Sequence, residues 1–352
     1  MRRSSALLAT AAITAALFVA PGTAHADATE TGPTLAVTVD KQATTITAQL
    51  APGSTVAPST PVTIRGRVVL KASALPAAGA EVQVDVPDEI KGPGGATRVR
   101  TSDDGTFRAF FVAGQEVGRS GTVTARVLED DVLTASQVNL GTVNIRNDSV
   151  FTEFDALPEP LAYRDPIVVR GRLDIRPDYT NSTNVPVYLE YSLDGKTWKV
   201  WATQTLGRPG RFYFDEDKPV TKDADWRVRY PGSVLNTPAV SVVDHVDVKY
   251  RTEWHYFNAS PEPVKKGKAI TVKGQLYRFR DKAGPGPNAP VYVYFKAAGT
   301  STYKQVAATK TDAGGWFAKS FKASVDGTWK AVYKETSGYL GSTSPGDAVD
   351  VR

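Results

Sequence analysis

The chain has 352 residues, 41% of them hydrophobic and 22% charged, a composition that can build packed cores. It contains no cysteine, which excludes disulfides, thiolate metal sites and cysteine nucleophiles. It contains one methionine and three histidines. The formal net charge is +5. The length predicts about two or three domains.

The amino terminus has the three regions of a secretory signal peptide. Arg2 and Arg3 precede an apolar run over residues 6–20, and a small-x-small sequence occupies residues 24–26. The apolar run is too short to cross a bilayer comfortably. We therefore predict that residues 1–26 are a signal peptide removed before Asp27. The mature chain is predicted to be secreted, free or associated with the cell wall, without an integral membrane segment.

One unit is repeated three times along the mature chain. A glycine motif recurs at Gly66, Gly171 and Gly274, at intervals of 105 and 103 residues. Two further anchors keep the same order and nearly the same interval: Phe107, Phe212 and Phe317; and Val123, Trp226 and Trp329. A period this long indicates a repeated domain rather than the short repeat of a solenoid. The predicted domains are a first unit (residues 27–148), a second unit (149–250) and a third unit (251–352).

Each unit has the alternation of antiparallel strands. Val187, Leu189 and Tyr191 alternate with Tyr188 and Glu190, which predicts one buried and one wet face. Asp-Gly and Gly-Gly turns separate such segments, and no mature segment keeps a helical period. The fold class is therefore all-β, with three tandem β-sandwiches of about seven strands. Short links between units predict a semi-extended rod.

Residues 191–199 and 295–304, each followed by a strand, a turn and a phenylalanine, resemble immunoglobulin-like repeats of secreted actinobacterial proteins. The later Trp-x-Val-x-Tyr strand over residues 226–230 extends the resemblance. The resemblance covers the second and third units, and the first more weakly, because Val123 replaces the tryptophan. It implies an immunoglobulin-like fold, a spacer, adhesion or ligand-binding role, and no shared catalytic residues. Tryptophan and phenylalanine packing must replace the usual disulfide.

The sequence contains few residues that could form a catalytic or metal site. His245 and His255 flank the link between the second and third units, with acids nearby that could complete a metal or substrate site. No motif places a nucleophile beside a base, and we interpret both as solvated histidines. The acidic clusters at residues 103–104, 129–131 and 215–217 lack the ladder of a calcium loop and are interpreted as turn acids. We predict neither enzymatic activity nor a cofactor.

Exposed aromatic rings are the candidate carbohydrate-stacking residues. Trp198 lies in a tryptophan-containing segment, and Tyr292 is predicted on an outward strand face. The alternative is that Trp198 is a packing position of the repeat and that Tyr292 covers a strand.

The charge is distributed unevenly. The first and second units have net charges of −3 and −2, whereas the third, with 16 basic and 8 acidic residues, has +8. A face of one sign attracts polyanions through a field that salt screens. The candidate polyanion-binding residues are Lys265, Lys266, Lys268, Lys273, Arg278, Arg280 and Lys282.

Arg278 departs from the repeat, because Leu70 and Ile175 occupy its position in the first two units and face the core. We expect the strand to end early or to bulge there, turning Arg278 outward.

The leading functional hypothesis is a non-enzymatic structural or adhesive module at the cell envelope, whose third unit contacts anionic wall polymer. The alternative is a carbohydrate-binding or accessory protein of a secreted hydrolase system.

Overall fold

The computed structural model describes residues 40–177 and 180–352. The predicted signal peptide lies outside these residues. The described chain is built of strands, and its helical content is one 3-10 turn at Asp88–Ile90. Within the described residues, three successive pairs of β-sheets form tandem β-sandwiches, as the alternation and the turn sequences predicted.

The first unit packs one sheet of order β1-β3-β7-β5 against another of order β2-β9-β8-β4-β6. Its strands are β1 (Thr44–Ala51), β2 (Thr55–Val56), β3 (Pro61–Leu70), β4 (Glu81–Asp85), β5 (Lys91–Ala96), β6 (Arg98–Arg100), β7 (Thr106–Ala113), β8 (Ser120–Val127) and β9 (Ser136–Ile145).

The second unit packs a sheet of order β10-β12-β15 against one of order β14-β13-β16, to which β17 and β18 add; β11 pairs with β19. Its strands are β10 (Asp148–Leu157), β11 (Leu161–Ala162), β12 (Val168–Arg176), β13 (Val185–Ser192), β14 (Lys199–Leu206), β15 (Arg211–Asp215), β16 (Ala224–Tyr230), β17 (Ala239–Val240), β18 (Asp244–Val246) and β19 (Val248–Lys249).

The third unit repeats this plan. In one sheet β21 pairs with β20, β22 and β25, and the other sheet has the order β24-β23-β26, with β27 and β28 also paired to β26. Its strands are β20 (Arg251–Ser260), β21 (Ala269–Phe279), β22 (Ala283–Pro285), β23 (Pro290–Ala297), β24 (Lys304–Lys310), β25 (Trp316–Lys322), β26 (Gly327–Tyr333), β27 (Ser342–Thr343) and β28 (Asp347–Val349).

The repeated glycine and phenylalanine form one packing device. Gly274 of β21 lies directly opposite Phe317 of β25, and the other two units pair the same residue types across the same strands. A Cβ on Gly274 would lie 2.6 Å from Phe317 Cε1, so the ring occupies the space of the missing side chain. The motif is therefore a glycine that an aromatic ring covers, a known means of stabilising strand glycines.

The cores contain aromatic residues where antibody domains have a disulfide. Trp226 is fully buried in the second unit and packs edge-on against Trp201 at 5.3 Å, and Trp329 packs on Phe295 and Phe321, each at 4.6 Å. Val123 is fully buried at the matching position of the first unit, with a smaller side chain. Aromatic contacts of this kind supply a large buried area at each position.

The prediction that the strand ends or bulges at Arg278 is wrong. β21 continues through it to Phe279, and its pairing with Thr252 is in the register that Ile175 keeps with Ser149. The bulge of this strand pair lies in β20 instead, between Trp254 and Tyr256. Arg278 therefore keeps the inward parity of its strand and is half-buried.

Candidate functional site

The basic residues of the third unit are mostly without acidic partners. Nine of the thirteen basic residues of the second unit form ion pairs. Among the described residues, only Arg251 and Arg352 of the sixteen in the third unit do so. The net charge of this unit is therefore also a local surplus of uncompensated cations.

Several of these cations stand over tyrosine rings on the outer face of the β24-β23-β26 sheet. Lys330 Nζ lies 4.2 Å from the ring centroid of Tyr303, and Lys334 Nζ lies 4.3 Å from that of Tyr292. Such contacts hold an ammonium in place and leave its charge intact. We call this surface the lysine–tyrosine face; it comprises Tyr292, Tyr294, Lys296, Tyr303, Lys330 and Lys334.

The same face of the second unit is partly neutralised by a buried acid. Glu190 is 5% exposed and accepts hydrogen bonds from Arg227 Nε at 2.9 Å and Arg229 Nε at 2.6 Å. In the third unit Tyr294 occupies the position of Glu190, opposite Lys330 as Glu190 is opposite Arg227. One exchange in the repeat thus replaces the acid that would neutralise the face.

Both predicted carbohydrate-stacking residues have a cation over one ring face. The Arg227 guanidinium lies 3.9 Å from the ring centroid of Trp198, and Lys334 covers Tyr292 at 4.3 Å. Each ring is half-buried. The arrangement leaves less free aromatic surface than an open sugar platform presents.

The seven predicted polyanion-binding residues fall at three places along β21. Lys265, Lys266 and Lys268 are exposed in the loop before the strand, and Lys273 lies in its middle with Nζ 4.3 Å from the Trp316 ring centroid. Arg278, Arg280 and Lys282 lie at its far end. Ten residues of strand separate the two ends by about 33 Å, so the seven cations do not form one cluster.

The far group lines a cleft of about 300 Å³. We call it the arginine cleft; its lining residues are Arg278, Arg280, Lys282, Gly284, Pro285, Pro287 and Tyr339. Arg278 Nη1 donates to the Pro287 carbonyl at 3.1 Å, and Arg280 Nε donates to the Tyr339 hydroxyl at 2.7 Å. Sequence reasoning missed Tyr339, because it comes from a loop about 60 residues away whose path no local pattern predicts.

A wider groove of about 900 Å³ crosses the outer face of β10, β12 and β15. Tyr213 is 55% exposed in it, and the charged residues around it form Arg170–Asp155 and Arg211–Glu153 ion pairs, each at 2.8 Å. The groove therefore combines an exposed ring with paired charges and hydrogen-bonding groups.

The two histidines have different partners in different sheets. His245 Nδ1 is 2.7 Å from Asp225 Oδ1, and this hydrogen bond raises the pKa of His245. His255 instead stacks on Tyr277, with ring centroids 3.8 Å apart. The structure does not join them into one site.

The acidic clusters contribute to turns. Asp104 Oδ1 accepts from the Thr106 backbone N–H at 3.0 Å, and Asp130 Oδ1 accepts from the backbone N–H groups of Val132 and Leu133. These bonds hold the pKa of both carboxyls below the usual range. Within residues 40–177 and 180–352 no group of three or more metal-ligating side chains converges.

Comparisons with known proteins give matches of low similarity. No family model matches the chain, and no curated protein matches it. Among solved structures, a three-domain titin fragment matches 88% of this chain and all of its own at 11% identity, with a TM-score of 0.34. The three N-terminal domains of the bacteriophage RB49 capsid protein Hoc match 88% of this chain and 99% of their own at 10% identity, with a TM-score of 0.30.

The eight N-terminal immunoglobulin domains of Down Syndrome Cell Adhesion Molecule match 88% of this chain, at 11% identity and a TM-score of 0.31, over 36% of their own length. None of these values supports an argument about ligands. The part of the chain that the structure describes contains no helix long and apolar enough to cross a membrane.

Proposed function

We propose that the chain is an exported, non-enzymatic structural or adhesive module of the cell envelope, and that its third unit binds an anionic polymer. The observation that carries the proposal is the uncompensated charge of the third unit, which lies partly over tyrosines on the lysine–tyrosine face. The second unit supports it by contrast, since Glu190 pairs with both arginines of the equivalent surface and removes part of its charge. The first two units then serve as spacers.

A polymer-binding role suits this surface better than a discrete catalytic one. The lysines are spread across a sheet face, with aromatic rings between them, and a flexible polyanion can contact several of them at once. Each contact releases counterions, so the affinity is expected to fall steeply with salt. Export and envelope location rest on the predicted signal peptide, as does the polymer class, because an exported protein meets anionic wall polymers.

The test is binding of the chain to an immobilised glycerol phosphate polymer across a salt series. We expect the apparent affinity to fall at least about tenfold between about 50 and about 200 mM salt. The variant K296Q/K330Q/K334Q should lose most of the binding at low salt. The matched control K196Q/K199Q/K222Q removes three lysines of the second unit that have no ion pair among the described residues, and should bind as wild type does. Equal losses in both variants would reduce the effect to net charge and would contradict the proposal.

A second candidate function is binding of a neutral polysaccharide in the groove of the second unit. It is favoured by Tyr213, which is exposed beside the Arg170–Asp155 and Arg211–Glu153 pairs. An aromatic face with planar hydrogen-bonding groups suits a sugar ring, and such binding should be insensitive to salt. Pull-down on insoluble neutral polysaccharide should then be lost in Y213A and kept in W198A and Y292A. Salt-sensitive pull-down, or retention by Y213A, would contradict it.

A further inference from the structure

Arg278 occupies a core position of the repeat. The equivalent Ile175 is 4% exposed and belongs to the single hydrophobic core of the second unit. In the third unit the buried apolar residues divide into two clusters, and the smaller one contains Leu276, Ala289 and Tyr333 near Arg278. A guanidinium is unfavourable at such a position unless it is well partnered. A residue that breaks the pattern of its own repeat in this way is characteristic of a functional position.

Aromatic rings, rather than a carboxylate, support the Arg278 head group. Its guanidinium carbon lies 4.3 Å from the Tyr339 ring centroid and 5.9 Å from that of Tyr333. Nη1 donates to the Pro287 carbonyl, and Nε is buried without a hydrogen-bond partner. Rings and one carbonyl hold the group in place but do not neutralise its charge.

Arg280 is held beside it in a similar way. Its Nε donates to the Tyr339 hydroxyl, and its guanidinium carbon lies 5.6 Å from the ring centroid of Tyr339 and 5.7 Å from that of Tyr250. This leaves the two terminal amino groups of Arg280 for a ligand. Tyr339 thus positions both arginines, one by its ring and one by its hydroxyl.

The acid next to Arg280 in the sequence is bonded to residues of the second unit. Asp281 accepts from the Tyr163 hydroxyl at 3.1 Å and pairs with Arg164 at 3.5 Å, both in the second unit. In the described residues no carboxylate forms an ion pair with Arg278, Arg280 or Lys282. Three positive charges therefore line one cleft without compensation.

We propose that the arginine cleft binds a single phosphate group carried by a glycerol-like unit. Guanidinium forks match phosphate oxygens, and Lys282 adds a third positive charge to the same cleft. The volume of about 300 Å³ admits a phosphate with a small polyol. The proposal rests on the proposed function only in taking the phosphate to belong to a polymer; binding of a free phosphate ester does not depend on it.

The direct probe is glycerol 3-phosphate, titrated into the full chain and followed by the NMR signals of the arginine Nε–H groups and by calorimetry. Glycerate, a carboxylate analogue, and glycerol are the comparison ligands. We expect the Arg278 and Arg280 signals to shift with glycerol 3-phosphate, and glycerate to bind more weakly. Equal binding of glycerate, or unshifted arginine signals, would overturn the assignment.

The decisive variant is R278I, which restores the residue type of the second unit and should fold with a melting temperature at or above that of wild type. Loss of a charged hydrogen-bond donor should weaken glycerol 3-phosphate binding by about tenfold or more. R278K, which keeps the charge without the fork, should fall between wild type and R278I. The matched control K268Q removes one charge at the opposite end of β21 and should change affinity less than twofold. Equal weakening by R278I and K268Q would overturn the proposal.

Two further experiments are needed. One distinguishes the arginine cleft from the lysine–tyrosine face, and the other distinguishes a polymer from a lipid as the source of the phosphate. K296Q/K330Q/K334Q should keep glycerol 3-phosphate binding even where it loses the polymer, so either proposal can fail alone. Phosphatidylglycerol vesicles present the same phosphate on a lipid surface. R278I should lower affinity for the glycerol phosphate polymer and leave vesicle sedimentation unchanged; the reverse result would overturn the polymer as the source.

Discussion

Gly274→Ala tests whether the repeated glycine is required by the ring that covers it. The new Cβ would lie 2.6 Å from Phe317 Cε1, 3.1 Å from the Tyr256 carbonyl oxygen and 3.3 Å from Phe257 Cδ2. Phe317 is 3% exposed and packs edge-on against Trp254 at 5.6 Å. The ring must therefore move by nearly 1 Å within a filled core to restore ordinary contact.

The magnitude follows from two opposing terms. Overpacking a filled core costs about 1–3 kcal/mol. Replacing glycine restricts the unfolded chain and returns about 0.4–1 kcal/mol. The two terms leave a net destabilisation of about 0–2.6 kcal/mol, centred on about 1.3 kcal/mol. For a sandwich of this size the central value lowers the melting temperature by roughly 5–10 °C.

Differential scanning calorimetry of the full chain measures this, with Gly338→Ala as the control in the same unit. No atom lies within 4 Å of a Cβ built on Gly338, so that substitution keeps only the unfolded-chain gain and should leave the melting temperature unchanged or slightly raised. Gly66→Ala and Gly171→Ala should each move a different transition if the three predicted units unfold separately. A shift for Gly274→Ala no larger than for Gly338→Ala would refute the reasoning.

Three further predictions concern charged groups. Asp225 raises the pKa of His245, so their ion pair stabilises the fold fully below the unfolded pKa of about 6.5. This stabilisation is lost as the pH rises through the folded pKa. The melting temperature of wild type should therefore fall between about pH 5.5 and 8, and H245Q should lose this pH dependence. Backbone N–H groups lower the pKa of Asp194, so its stabilisation is present above about pH 4 and is lost on acidification; D194N should flatten the acid limb of a urea-denaturation series. Glu190→Gln leaves two arginines without their carboxylate and should lower the free energy of unfolding, measured by urea denaturation, by about 2–3 kcal/mol. This is less than the loss expected for a fully buried ion pair, because both arginines are partly exposed.

The strand pattern could be predicted because one face of every sheet is buried. Val187 and Leu189 are fully buried and Tyr188 between them is half-exposed, as period-two alternation requires. The covered glycines follow the same logic, because each precedes its phenylalanine at nearly the same spacing, 41, 41 and 43 residues in the three units. The charge asymmetry could also be read from composition, since it needs no knowledge of contacts.

The detailed site could not be predicted, because it depends on cross-strand register and on loops. Alternation places Glu190, Arg227 and Arg229 outward, but only the register of β13 with β16 brings the acid between the two arginines. For Arg278 the alternation was right, and the expectation that an arginine must leave the inner face was wrong. Tyr339, which makes the inward position tolerable, comes from a distant loop and gives no signal near Arg278.

The third unit differs from its siblings at two positions that act in the same direction. Tyr294 in place of Glu190 removes the acid from an outer face, and Arg278 in place of Ile175 adds a cation to an inner edge. Neither exchange improves packing: one gives up a buried ion pair and the other divides a core. In both places aromatic rings hold the cations, so charge is kept without compensation. If this charge serves a ligand, Tyr294→Glu should lower the positive charge of the face and weaken polymer binding. R278I should restore the apolar residue type of the second unit and weaken phosphate binding, while each variant folds.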